Sequence, residues 1–125
     1  MKKTLLSDLG LAFFRIAVSG MMLVHGIPKF QNLISGNFEF GDPLGIGAAP
    51  SLFLAVIGEM VCPLLIILGF KTRLAAIPAA VTMAVAAFIV HGSDNFATKE
   101  KALFYLVAFI TIILVGPGKF SIDRK

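Results

Sequence analysis

The 125-residue sequence holds one cysteine, Cys62, and so has neither an internal disulfide nor a C-x-x-C pair. Electron transfer through paired sulfurs is therefore closed to the chain, and any redox work must use other groups. Charge is scarce too: Asp, Glu, Lys and Arg make up 14% of the residues, against about 25% in soluble domains. That is too little to cover a globular surface in water. A net charge of +4 does not rescue a nucleic-acid reading, because the basic residues form no dense patch and lie between apolar runs.

Apolar residues are in excess. They reach 58%, with a mean hydropathy of +0.93, where soluble domains hold about 45–50%. A bilayer is the solvent that suits such a chain. Four runs approach the ~20 residues needed to cross hydrocarbon, at about residues 9–28, 50–69, 74–91 and 100–116 of a single 125-residue domain. The first contains Arg15 and Ser19, the second Glu59, and the third no charge at all. The fourth is short, and Lys99 and Lys101 are expected to snorkel out of one end. The fold class is therefore all-α, a bundle of four transmembrane helices. Met1-Lys2-Lys3 before an apolar stretch mimics a secretory signal, but Arg15, His25 and Lys29 fit poorly in a signal's apolar region.

Four crossings put both termini and the turn between spans two and three on one side, which collects Lys2, Lys3, Lys71, Arg73, Lys119, Arg124 and Lys125. The other side has Lys29, Lys99 and Lys101. The positive-inside bias then places both termini in the cytoplasm of a multi-pass cell (inner) membrane protein. The segment from Gln31 to Ala49, with Gly36, Gly41, Gly45, Gly47 and Pro43, should be an irregular outer loop whose Phe38 and Phe40 sit at headgroup level or fold over the bundle mouth. Ala76, Ala80 and Ala84 form a small-xxx-small row, suited to close helix packing within the bundle or in a homo-oligomer.

Ionisable groups inside spans cost at least ~2.5–3.5 kcal/mol each at a helix centre and point to function. At ~1.5 Å rise per residue, Arg15 should lie about 9 Å inside the cytoplasmic end of span one and Glu59 roughly 13 Å inside the outer end of span two. Two readings follow. Arg15 and Glu59 form a buried ion pair that docks the two helices, or Glu59 binds and releases a proton for a ligand. Pro63 lacks the N–H that would bond the carbonyl of Glu59, leaving a free acceptor beside the carboxylate. On span one, ~100° of rotation per residue groups Arg15, Met22 and Lys29, with Ser19 and His25 on the flanks, so this face must turn into the bundle.

His25 and His91 both follow about seventeen apolar positions on spans running the same way, which brings them to one outer site. Their surroundings, His25-Gly26 before Phe30 and His91-Gly92 before Phe96, look alike, as in a tandem duplication or by chance. Two such histidines can ligate a haem iron, or with Glu59 a divalent metal. Histidines at helix ends more often make interfacial hydrogen bonds, so haem is the weaker reading and no metal ligand set is assigned.

Arg15, the H-G-x-x-K ending of span one (His25, Gly26, Lys29), Gly58-Glu59, Gly69-x-x-Thr72-Arg73-x-Ala75-Ala76 and the tail Gly116-Pro117-Gly118-Lys119-Phe120-Ser121-Ile122-Asp123 come in an order and spacing that resemble the DoxX-like family (DoxX/DoxD) of small four-helix membrane proteins. The resemblance covers nearly the whole chain. Some relatives are subunits of a thiosulfate:quinone oxidoreductase, so it implies a quinone-linked oxidoreductase subunit, with Glu59 and His25 as the catalytic proton-handling groups and Arg15, Lys29 and His91 binding the ligand. A redox partner subunit would then supply electrons. The alternatives are a scaffold that holds a soluble partner through the cytoplasmic loop Lys71, Thr72 and Arg73, or a small proton-coupled transporter.

Overall fold

A computed structural model describes residues 3–37, 45–90 and 92–123. The described residues hold four long helices and no strand: α1 (Lys3–Ile34), α2 (Ala48–Leu68), α3 (Thr72–Val90) and α4 (Phe96–Val115). Three of them, α1 from Leu5 onward, α2 and α3, are long and apolar enough to cross a membrane. α4 falls short of that class because Lys99, Glu100 and Lys101 occupy its first turns. Its charge-free part, 102–115, measures only about 21 Å at ~1.5 Å per residue.

The first helix is longer than its apolar run. It does not stop before Gln31 but continues through Pro28 to Ile34, so the expected outer loop starts later. A proline inside a membrane helix removes one donor and is tolerated where neighbouring groups serve the freed carbonyl. The 32 residues of α1 span about 48 Å, against a ~30 Å hydrocarbon core, so its ends project beyond the bilayer. Phe38, Phe40, Gly41 and Pro43 of the loop, His91, and the terminal Lys2, Arg124 and Lys125 lie outside the described residues.

Small residues set the packing. Ala76, Ala79 and Ala87 of α3 are completely buried and Ala75 and Ala80 nearly so, letting α4 approach with Phe109 and Ile112. The alanine row is thus used inside the bundle. Gly58 of α2 lies directly against the Thr82 side chain of α3, and Gly26 of α1 directly against the Glu59 backbone. The sides of the helices carry an oily girdle, with Phe13, Val24, Phe104 and Leu114 each at least 70% exposed. Water would expel such a girdle, and lipid accepts it.

One end of the bundle is closed by the tail that follows α4. Gly69 ends α2 in the left-handed conformation and Ile122 and Asp123 donate their N–H groups to the carbonyls of Leu68 and Gly69. The Asp123 carboxylate accepts from the N–H of Lys71 (2.9 Å), the N–H of Thr72 (2.8 Å) and the Thr72 hydroxyl (2.9 Å). A side chain from the far end of the sequence therefore caps the start of α3, which has no capping side chain of its own.

Candidate functional site

The polar face of α1 turns inward, as its composition demands: Arg15, Ser19 and Met22 are buried and His25 and Lys29 half-buried. Its groups nonetheless serve two separate places. Arg15 does not pair with Glu59. Its guanidinium donates to the carbonyls of Pro117 (2.6 Å), Phe120 (2.8 Å) and Ile67 (3.3 Å), fastening the tail under the bundle. The carboxylate instead belongs to Lys29, whose Nζ lies 2.7 and 2.6 Å from its two oxygens.

Helix geometry explains the exchange. Gly26 faces Glu59 across the α1–α2 contact, which sets Arg15 about 16 Å away along the axis at ~1.5 Å per residue. Helical side chains also lean toward their own N-terminus. Lys29 therefore leans back toward Glu59, whereas Arg15 leans away from it toward the end of α2 and the tail.

Glu59 sits in the middle of a π-helical turn, Ile57–Val61. Cys62 donates its N–H five residues back to Ile57, and Pro63 has no N–H for the Glu59 carbonyl. The helix widens there, and the carbonyl rests against Gly26, where any Cβ would collide with it. Wide turns of this kind are frequent at functional sites. A second one, Ala86–Val90, lies on α3.

Between the four helices is a cavity of about 220 Å³ that contains His25, Lys29 and Glu59 in its wall, with Met22, Met83 and Ala86, and Lys101, Ala102 and Tyr105 of α4. The His25 ring meets Tyr105 edge-on at 5.9 Å, and Tyr105 stacks on Phe109 at 6.3 Å. The phenol is thus held from two sides. Tyr105 and Lys101 join the residues expected from sequence, although Lys101 was expected only to snorkel outward. Their signal was present, since Tyr105 is the chain's single tyrosine and follows Lys101 by four residues on one helical face. Arg15 lies outside the cavity, and His91 lies outside the described residues. Of the loop residues, Thr72 is buried and bound to Asp123, while Lys71 and Arg73 are exposed, Arg73 beside Gly116. Among the described residues no group of three His, Cys, Asp or Glu side chains is placed to hold a metal.

The apolar girdle, the membrane-length helices and a polar cavity between them define a multi-pass α-helical membrane protein. Within that class the chain belongs to the DoxX family, whose model matches residues 10–92. The match includes His25, Lys29 and Glu59 and stops before Lys101 and Tyr105. The chain is 36% identical over 126 residues to an uncharacterized Haemophilus influenzae protein, covering 92% of this chain and 89% of that one. Two Escherichia coli proteins are also similar: the inner membrane protein YphA, 31% identical with 89% and 86% covered, and the inner membrane protein YqjF, 29% identical with 99% and 95% covered. The family and these relatives make it an inner-membrane protein. No solved structure matches the chain.

Proposed function

We propose that this DoxX protein is the membrane subunit of a quinone-linked oxidoreductase and that the cavity binds the quinone ring. The observation that carries this reading is the convergence of the Tyr105 phenol, the His25 imidazole and the Lys29–Glu59 pair on one small cavity between apolar helices. Quinone oxygens need hydrogen-bond donors and, on reduction, one proton each. Tyr105, His25 and Lys29 donate; Glu59 and His25 exchange protons with the surroundings. The electrons come from a redox partner, because the single cysteine leaves the chain no thiol relay of its own. The bundle crosses the membrane four times with both termini in the cytoplasm, which puts the tail clamp inside and the cavity in the outer half.

The chain has no tryptophan and one tyrosine, so its tyrosine emission reports on the cavity wall alone. A short-chain quinone titrated into the reconstituted protein should quench that emission saturably, and Glu59→Gln should weaken the saturable phase. Quenching that rises linearly, with no saturation in the wild type, rejects the reading.

A scaffold role has one observation in its favour. Lys71 and Arg73 are exposed on an end held firm by Arg15 and Asp123, which makes a steady basic platform. If that role is the main one, Arg73→Glu abolishes cellular function while Glu59→Gln leaves it intact.

A further inference from the structure

Lys29 and Glu59 neutralise each other within the cavity wall, with both carboxylate oxygens engaged. Lys101 reaches the same cavity from the second turn of α4 and makes no hydrogen bond or ion pair among the described residues. Among the described residues the wall therefore carries one positive charge in excess. The ammonium stands exposed at the cavity mouth, and an incoming anion gains a charge-assisted hydrogen bond from it. Tyr105 stands one helical turn from Lys101 on the same face, its ring fixed by His25 and Phe109. An ammonium and a phenol hydroxyl side by side make a recognition pair for a single ionised oxygen.

We infer that the cavity selects ligands carrying one ionised oxygen, an enolate or carboxylate on a small ring, and that Lys101 is the residue that confers the preference. This rests in part on the quinone reading, since it specifies which rings of that size bind best. The apolar part of such a ligand lies against Met22, Met83 and Ala102. The size is limiting. A volume of about 220 Å³ is below the ~300–1,000 Å³ of sites for drug-sized molecules, so the site takes one small ring system rather than a macrocycle.

The test is calorimetric titration of the purified chain in phosphatidylcholine nanodiscs, whose lipids carry no net charge. The probes are 2-hydroxy-1,4-naphthoquinone, ionised at neutral pH, its neutral parent 1,4-naphthoquinone, and benzoate. A hydrogen bond to a charged partner is worth enough to give the hydroxynaphthoquinone about tenfold tighter binding than the neutral ring. Lys101→Gln should abolish that ratio. Lys101 is exposed and makes no hydrogen bond among the described residues, so the variant keeps the fold, which circular dichroism checks. Equal binding of the two rings by the wild type, or an unchanged ratio in Lys101→Gln, overturns the inference and leaves the quinone reading standing. Lys101-dependent binding of benzoate with no binding of 1,4-naphthoquinone does the reverse.

Discussion

Lys29 holds both oxygens of Glu59, at 2.7 and 2.6 Å, from a position one turn beyond the glycine that touches the Glu59 backbone. The carboxylate side chain is 5% exposed and the lysine side chain 31%. The two partners are therefore not equivalent. Lys29 can turn its ammonium toward the bundle mouth when the pair is broken, whereas Glu59 has nowhere to go.

That asymmetry predicts unequal single mutants. Lys29→Met strands the buried carboxylate and should cost up to about 3–5 kcal/mol, the usual loss on breaking a buried pair. Glu59→Gln should cost less than half as much, and the double replacement of both residues by Met should return close to wild type. Thermal melts followed by circular dichroism in micelles measure all three. Equal losses in the two single mutants would show that Glu59 is less confined than its burial indicates.

Two glycines of α1 give a matched contrast. A Cβ on Gly26 would collide with the Glu59 carbonyl, whereas one on Gly20 would meet nothing within 4 Å. Gly26→Ala should destabilise by at least the ~1–3 kcal/mol typical of overpacking and disturb the cavity. Gly20→Ala should be neutral or stabilising by up to about 1 kcal/mol, the helical gain of alanine over glycine. Melting temperature and quinone quenching, read on both variants, separate the two sites.

The tail clamp yields a kinetic prediction. Asp123→Ala removes the acceptor for three donors at the start of α3, a loss of about 0.5–2 kcal/mol for a cap. Arg15→Lys replaces a planar fork that serves three carbonyls with a point charge that cannot span them. Both variants should loosen residues 116–123 and speed tryptic cleavage after Lys119, measured by the rate of C-terminal loss from proteoliposomes. An unchanged rate in both would mean that the tail is secured by other contacts.

Topology is open to labelling. Cys62 is 5% exposed and should react with a water-soluble maleimide only after unfolding. On a Cys62→Ala background, Lys71→Cys should be labelled from the cytoplasmic side in oriented vesicles and Ser93→Cys from the opposite side. The reversed pattern would overturn the proposed orientation, and labelling of both from one side would mean that α3 does not cross.

Much of this architecture was legible from residue order. The apolar runs outlined the helices, because a bilayer demands ~20 apolar residues per crossing, and the polar face of α1 was bound to turn inward. His25, Lys29 and Glu59 stood out as the polar groups of the cavity because ionisable residues are so costly in hydrocarbon. Chain position alone did not reveal that α1 would run on through Pro28 to Ile34, since the neighbouring groups that stabilise a helical proline come from the fold.

Local hydrophobicity and a fixed helical period already settled the solvent, the helices and which face of α1 hides its charges. The choice of partners was decided only in three dimensions. Arg15 and Lys29 were both eligible for Glu59, and the choice fell to the α1–α2 register, set where Gly26 meets the Glu59 carbonyl, together with the lean of helical side chains toward the N-terminus. Asp123 became a cap, and Tyr105 and Lys101 became cavity wall, through contacts between segments far apart in the chain. Helical periodicity fixes the direction of a side chain about its own axis but not what stands opposite it.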